Sequence, residues 1–171
     1  MDKNIIFEKA NVNMCDELAK LKLEIWESTY RGIYPNTKFD NYNYDTESSK
    51  FEKWIQDPNG AFFVAKDTTK NQLIGYTYIG LSTRCYIAGV PEIILLYIHK
   101  DYQHMGIGQA MFQLGYNYLQ KSNYKKFIIS CNKYNINAQK FYIKMGGKII
   151  HIDEDNIDHS LPQIKFEYTI D

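Results

Sequence analysis

The sequence has no excess of charge of either sign, and it has little cysteine. Its 171 residues include 20 lysines and arginines against 20 aspartates and glutamates, which gives a formal net charge of zero. A balanced chain has no global attraction to nucleic acid or to an anionic membrane surface, so we expect neither as a partner. The three cysteines, Cys15, Cys85 and Cys131, are odd in number and widely spaced, which argues against a disulfide framework and suits a reducing compartment.

Long hydrophobic runs and metal-binding patterns are also missing. No apolar run approaches the ~18 residues of a membrane-spanning helix, and the first residues lack the pattern of a secretory signal. The four histidines do not follow zinc spacing, so we expect no metal. With 44% hydrophobic and 23% charged residues, the composition is that of an ordinary globular protein. We therefore predict a cytoplasmic protein with a single domain over residues 1–171, and we leave its oligomeric state open, a homodimer included.

The most informative segment is residues 93–112. Its first six residues form an apolar, β-branched run that predicts a buried strand. A short polar turn follows, then Gly106 and Gly108, and then a helical pattern. The apolar positions of that helix are Ile107, Ala110, Met111, Leu114 and Tyr118. A glycine loop at a helix N-terminus presents free N–H groups and a favourable dipole, so this segment predicts a phosphate site.

The residues around the glycines narrow the choice of phosphate ligand. Met111 stands where a dinucleotide-binding G-x-G-x-x-G loop needs its third glycine. Gly108 is followed by Gln109 and Ala110, not by the lysine and hydroxyl residue of a Walker A loop. What remains is Gln103-x-x-Gly106-x-Gly108. It resembles the Q/R-x-x-G-x-G/A pyrophosphate loop of the GNAT superfamily of acyl-CoA-dependent N-acetyltransferases.

Two further segments strengthen this resemblance. Residues 135–146 resemble the family's later signature, N-x-x-A-x-x-F-Y-x-x-x-G, and a strand-like segment at residues 126–131 separates the two motifs. The pattern from Trp26 to Pro35 is similar to the end of the first helix and the following loop in bacterial members, including polyamine acetyltransferases. Two positions depart from the family pattern. Gly147 replaces the usual phenylalanine and removes an aromatic plug, and Gln103 replaces the commoner arginine.

The periodicity predicts an α+β fold. Strands are expected at residues 5–7, 61–65, 73–79, 93–98, 126–131, 149–152 and 164–170. Helices are expected from Asp16, over residues 48–56 and in the two motif segments. Residues 31–44 are polar and turn-rich, which predicts a long functional loop. Antiparallel hairpins at the ends and strand–helix–strand units in the middle match the GNAT architecture, a mixed, mostly antiparallel central sheet flanked by helices.

The resemblance implies acetyl-CoA as the cosubstrate and assigns residues to it. The positions implied to bind CoA are Tyr97, Ile98, Gln103, His104, Met105, Gly106, Ile107, Gly108, Gln109, Ala110, Asn135 and Lys144. In the family a backbone N–H near Ile98 serves the oxyanion. Two of the assignments have a plainer alternative, since Asn135 fits an ordinary helix N-cap and Lys144 fits a solvated surface lysine.

Acetyl transfer to an amine needs a base, oxyanion donors and a proton donor for the leaving thiolate. The resemblance assigns the proton donor to Tyr142, although its helical stripe is equally that of a core residue. Glu92, which opens the strand five residues before Tyr97, is the candidate base, and burial would raise its pKa. The alternative for Glu92 is an ordinary carboxylate at a strand end.

The acceptor is the least determined part. The acidic residues Asp153, Glu154, Asp155 and Asp158 lie between the last two strands, where they would attract a cationic amine or merely aid solubility. The leading hypothesis is an N-acetyltransferase acting on a primary amine, such as a polyamine, by direct attack in a ternary complex. The alternatives are a protein N-terminal acetyltransferase, an antibiotic-directed enzyme, and a non-catalytic CoA-binding or sensory domain.

Overall fold

The computed structural model describes residues 4–81, 86–153 and 162–171, and it contains one seven-stranded sheet. The strands are β1 (Ile5–Lys9), β2 (Ala61–Asp67), β3 (Gln72–Gly80), β4 (Glu92–Ile98), β5 (Lys126–Asn132), β6 (Lys148–Ile152) and β7 (Gln163–Thr169). The helices are α1 (Cys15–Tyr30), α2 (Thr37–Asp40), α3 (Tyr44–Ile55), α4 (Ile107–Lys121) and α5 (Ile136–Lys144). In the described ranges no helix is long and apolar enough to cross a membrane.

The strand order is β1-β2-β3-β4-β5-β7-β6, and every neighbouring pair is antiparallel except β4 and β5. The sheet is therefore mixed and mostly antiparallel. This confirms the fold predicted from the sequence, with the parallel pair where the first motif connects its strand to the next one.

Helices cover both faces of the sheet. On one face, α1 and α3 bury an aromatic and aliphatic core that includes Phe51 and Tyr76. On the other face, α4 and α5 pack on a core that includes Phe127 and Phe166. Burying such large side chains contributes about 1.5–3 kcal/mol each, so both faces contribute to holding the sheet between its helices.

The buried face of α4 differs from the predicted one. Its buried residues are Ile107, Met111, Phe112, Gly115 and Leu119, whereas the predicted Ala110, Leu114 and Tyr118 are only half-buried. The reason is Gly115, because a Cβ there would come within 2.8 Å of the Ile93 Cδ1 atom. The helix approaches β4 at Gly115, and a search for periodic apolar residues does not count glycine.

The prediction for residues 31–44 and the start of the next helix was also wrong. The segment contains the short helix α2, and α3 begins at Tyr44 instead of Ser48. The side chain of Asn43 caps α3 by accepting from the Thr46 N–H at 2.8 Å. The negative charges of Asp45 and Glu47 in the first turn also interact favourably with the positive end of the helix dipole. The polar residues at the start of α3 therefore resemble a loop in the sequence.

The sheet opens between β4 and β5. These parallel strands pair only at Glu92 with Ile128 and at Ile93 with Ile129. Ile94 has no partner in β3 because the register shifts there, and this bulge turns β4 away from β5. The result is the β4–β5 cleft, an opening between residues 95–98 and residues 130–132.

Candidate active site

The glycine loop, residues 103–110, lies beyond the end of β4. His104 and Gly106 have positive φ angles of 63° and 83°, and they turn the chain into α4. The Gly106 carbonyl accepts from the Ala110 N–H at 3.0 Å and so begins the helix. The N–H groups of the first turn have no partner within their own helix and remain available for an anion. Ile107 is only 1% exposed, so its side chain belongs to the core and only its backbone can contact a ligand.

Side chains fix this loop to the sheet. The Tyr102 hydroxyl donates to the Asp67 carboxylate at the end of β2, at 2.8 Å. Hydrogen bonds from the hydroxyls of Thr69 and Tyr102 lower the pKa of Asp67 to about 2. The Gln103 amide donates to the Ile98 carbonyl at 3.2 Å. The predicted CoA residue Gln103 thus ties the loop to the end of β4, which keeps the N–H groups of the loop in place.

The two glycines are needed for different reasons. A Cβ on Gly106 would meet nothing within 4 Å, so only its positive φ favours glycine. Gly108 has no such angle, but its Cβ would lie 3.5 Å from the ring of Phe141 in α5. The structure therefore brings the two sequence motifs into contact and leaves the space between them to the backbone.

The Ile98 backbone faces the β4–β5 cleft. The neighbouring His99 N–H donates to the Ile74 carbonyl of β3 at 2.8 Å. Successive residues of a strand direct their N–H and C=O groups to opposite sides, so those of Ile98 point away from β3. β5 does not pair with β4 at this height. The predicted oxyanion donor thus lies where no strand uses it.

Tyr142 lies in α5 and is 6% exposed. Burial raises the pKa of Tyr142 well above its usual value, with smaller contributions from the neighbouring Cys131, Tyr30 and Tyr168. The phenol therefore stays protonated at neutral pH and is able to donate. The side chain also packs against the Phe166 ring at 5.5 Å, so the core role and the donor role are compatible.

The missing aromatic plug after α5 has a replacement. A Cβ on Gly147 would lie 2.7 Å from the Tyr168 hydroxyl. That hydroxyl donates to the Tyr142 carbonyl at 2.9 Å. Tyr168 of β7 thus fills the space that opens at Gly147, and it holds the segment that carries Tyr142.

Sequence reasoning missed the packing of a group of aromatic side chains from α1 and the segment that follows it. Trp26 stacks on Tyr34 at 5.6 Å, and Tyr34 packs against Tyr30 at 4.8 Å. Tyr97 and Asn135 are within hydrogen-bonding reach of the Tyr30 hydroxyl and offset part of the burial that raises its pKa. The signal was present as three aromatic residues spaced four apart. Nothing in the sequence indicated, however, that these residues contact β4 and the start of α5.

Two asparagines border the same cleft. The Asn135 side chain accepts from the Ala138 N–H at 3.0 Å, so the predicted N-cap is confirmed. Asn132 at the end of β5 is 2% exposed, and its Nδ2 is buried. Burial raises the pKa of the Tyr34 phenol, and the nearby Asn132 side chain offsets part of this effect, although its Nδ2 makes no hydrogen bond of normal geometry.

Glu92 begins β4 and is half-buried. Its carboxylate accepts from the Tyr86 N–H at 3.2 Å. Burial raises the pKa of Glu92, and the Tyr86 N–H and the charge of Lys165 offset part of this effect. The direction is the one expected for a general base that works near neutral pH.

Of the predicted acidic cluster, the structure describes only Asp153. Asp153 lies 2.9 Å from the His151 Nε2 and 3.9 Å from the Lys165 ammonium, so its charge is largely paired. The other predicted members, Glu154, Asp155 and Asp158, lie outside the described residues. Lys144 is exposed in the last turn of α5. Among the residues described, no cluster of histidine, cysteine and carboxylate groups is arranged to hold a metal ion.

Comparison with known proteins agrees with this geometry. Residues 23–146 match the family model of the acetyltransferase (GNAT) family. The chain is 24% identical over 164 residues to a spermidine N(1)-acetyltransferase of Thermoplasma acidophilum, a match that covers 88% of this chain and 92% of that protein. It is 23% identical over 126 residues to the uncharacterized N-acetyltransferase YuaI of Bacillus subtilis, covering 73% of this chain and 70% of that protein.

Solved structures share the fold. PaiA N-acetyltransferase from Thermoplasma acidophilum in complex with coenzyme A superposes with a TM-score of 0.78 at 22% identity, over 99% of both chains. YncA from Salmonella typhimurium with acetyl-CoA gives 0.73 at 11% identity, over 99% of this chain and 95% of that one. Since the family model spans most of the sequence, the protein belongs to the GNAT family and is an acetyl-CoA-dependent N-acetyltransferase.

Proposed function

We propose that this enzyme acetylates a small cationic primary amine, with a polyamine as the best candidate, by direct attack in a ternary complex. The observation that carries the proposal is the β4–β5 cleft, because it connects the two faces of the sheet. Tyr142 belongs to the core between the sheet and the helices α4 and α5. Ile93 packs in that same core, so its neighbour Glu92 points to the opposite face. The proposed acid and base thus lie on opposite faces of the sheet.

The reaction follows from this arrangement. The N–H groups of residues 103–110 bind the CoA pyrophosphate, and the Ile98 N–H stabilises the oxygen of the tetrahedral intermediate. Glu92 takes a proton from the attacking amine, directly or through water. The new C–N bond forms first and gives the tetrahedral intermediate. Its collapse restores the carbonyl and breaks the C–S bond, and the departing thiolate takes its proton from Tyr142.

The remaining CoA contacts are part of the same proposal. The loop residues Gln103, His104, Met105, Gly106, Ile107, Gly108, Gln109 and Ala110 act mainly through their backbone. Tyr97 and Asn135 border the cleft from β4 and α5, which suits contacts to the pantetheine. Lys144 would reach a CoA phosphate from the last turn of α5.

Two observations support a polyamine as the acceptor. Relatives of the same fold include spermidine acetyltransferases from Thermoplasma acidophilum and Vibrio cholerae, at 24% and 15% identity. The half-buried Glu92 carboxylate also provides a negative group that would attract an ammonium ion. The proposal also takes residues 1–171 as one domain working in the cytoplasm, where the free thiols of Cys15 and Cys131 would stay reduced.

A panel of amines tests this function. The purified protein would be incubated with acetyl-CoA and with spermidine, spermine, an aminoglycoside or short peptides, and released CoA thiol would be followed. We expect the highest kcat/KM with a polyamine. Turnover restricted to peptides would favour the N-terminal acetyltransferase. CoA binding by calorimetry without thiol release from any amine would favour a non-catalytic domain.

A further inference from the structure

A second cavity lies between α1, α2 and α3, and we call it the lysine cavity. Its volume is about 340 Å³. It is lined by Lys22, Trp26, Lys38, Asn41, Tyr42, Asn43, Thr46, Glu47 and Lys50. None of these residues was assigned a role in the acetyl transfer, and a volume of this size suits a small ligand.

The lining of the lysine cavity is cationic. It has three ammonium groups and a single carboxylate, Glu47. One oxygen of Glu47 pairs with Lys22 and the other pairs with Lys50, at 2.6 Å for the latter. The carboxylate is therefore already shared, and positive charge remains in excess. The Lys38 ammonium lies 4.7 Å from the centroid of the Tyr34 ring.

Keeping Lys22 in this place is costly. It is 9% exposed, and burial lowers the pKa of its ammonium group even though Glu47 partly restores it. A buried charge persists only when it is paired and hydrogen-bonded. One carboxylate divided between two lysines compensates this cost only in part, and an anionic ligand would complete the compensation.

Two uncharged donors of the lining residues are not open to a ligand. The Trp26 Nε1–H is buried and has no hydrogen-bond partner among the residues described. The Tyr42 hydroxyl is already used, because it donates to the Ala19 carbonyl at 2.7 Å. The lysines are therefore the groups that a ligand would meet, so the ligand must bring acceptors and negative charge, and its apolar part can lie against the Tyr42 ring.

From these contacts we propose that the lysine cavity binds a small organic anion bearing carboxylate or phosphate groups, at a site separate from the glycine loop. The proposal concerns binding alone and does not depend on the acceptor proposed above. The two proposals can fail separately, because anion binding to the lysine cavity is measured by ligand titration, whereas acetylation of the amine is measured by turnover.

Tryptophan fluorescence gives a direct test. The chain has two tryptophans, and Trp54→Phe leaves Trp26 as the single reporter inside the cavity. This variant would be titrated with citrate and with phosphoenolpyruvate at constant ionic strength, and with spermidine as a ligand of opposite charge. We expect a saturable change with the two anions and none with spermidine. No saturable change with either anion would overturn the proposal.

Two lysine substitutions locate the signal. In the same background, Lys38→Gln and Lys50→Gln should each weaken anion binding by about tenfold, since each removes a charge-assisted contact. Lys53→Gln is the matched control, because Lys53 is exposed on the same helix as Lys50 but does not line the cavity. An equal loss in the control would reduce the effect to general surface charge and overturn the proposal.

A competition experiment separates this site from the glycine loop. With saturating CoA present, the anion should still change Trp26 fluorescence with an unchanged midpoint. Loss of the signal under these conditions would mean that the anion occupies the pyrophosphate position, and the lysine cavity would then not be a site of its own.

Discussion

The glycine loop and the acceptor side of the cleft are built on different principles. The loop uses backbone N–H groups, two glycines and a helix start, and all of them come from one run of eight residues. The proposed acceptor side combines side chains from distant segments, such as Glu92 of β4 and Lys165 of β7, whose charge offsets part of the rise in the pKa of Glu92. The difference teaches that a ligand shared by a family can be bound by backbone, whereas a ligand specific to one member must be bound by side chains.

The strongest test of this comparison is the proposed acid, which lies between the two regions. Tyr142→Phe keeps the ring in the core and removes the proton, so we expect kcat to fall by about 10²–10⁴-fold while CoA affinity stays the same. Because burial raises the pKa of Tyr142, the phenol should contribute no loss of activity below about pH 10. Steady-state kinetics over pH 6–10 would measure both effects.

Tyr76→Phe is the matched control for Tyr142→Phe. The Tyr76 hydroxyl is buried without a hydrogen-bond partner in the described part of the chain. Its removal should leave kcat unchanged and stability equal or higher. A wild-type rate for Tyr142→Phe would reduce Tyr142 to a core residue.

The backbone character of the glycine loop gives the next largest effect. Gly108→Val places a branched side chain between α4 and the Phe141 ring, where the pyrophosphate must approach, so CoA affinity should fall by about 100-fold. Gln109→Val changes the neighbouring exposed side chain but keeps the same N–H groups, and it should bind CoA nearly as well. Calorimetry on both folded variants decides the matter, and equal losses would mean that side chains carry the binding.

The proposed base tests the acceptor side. Glu92→Gln should lower kcat/KM for the amine by about 10–100-fold, since water can replace part of its role. Glu92 must lose its proton to act, and burial raises its pKa above the usual 4.5. Wild-type activity should therefore fall as the pH drops through that raised pKa, and the variant should lack this acid limb.

Stability separates this catalytic effect of Glu92→Gln from damage to the fold. A carboxyl whose pKa is raised by folding contributes stability at low pH and loses that contribution as the pH rises through the raised value. Glu92→Gln should thus be at least as stable as the wild type at pH 8. A destabilised variant, or a wild type without an acid limb, would contradict the assignment of Glu92 as base.

The smallest effect is expected at Asp153, whose charge is already shared with His151 and Lys165. Asp153→Asn should raise the KM for a polyamine by about two- to threefold at low salt and hardly at all near 0.5 M salt. The KM for acetyl-CoA should not change. Identical polyamine KM values at low salt would leave Asp153 with a structural role, which its acceptance of the Gln163 N–H at 3.2 Å already indicates.

Local sequence was sufficient wherever the interactions are local. The strand, glycine loop and helix over residues 93–112 and the N-cap at Asn135 were predictable, because turn geometry and capping depend on neighbouring residues. The start of α3 was missed since Asn43 followed by polar residues resembles a loop, and the close approach at Gly115 was missed since periodicity gives glycine no weight.

The sequence by itself indicated the family through its motifs, the mixed sheet through the order of its strands and helices, and the glycine loop before α4 through its turn residues, because each of these signals lies within short segments. Only the tertiary structure decided that Tyr168 fills the space at Gly147, that Phe141 meets Gly108, that Tyr30 reaches Tyr97 and Asn135, and that Lys22 and Lys50 share Glu47 in one cavity. These contacts join residues far apart in the chain. Their distances and burial, and hence their pKa values and charges, exist only once the sheet and its helices have packed.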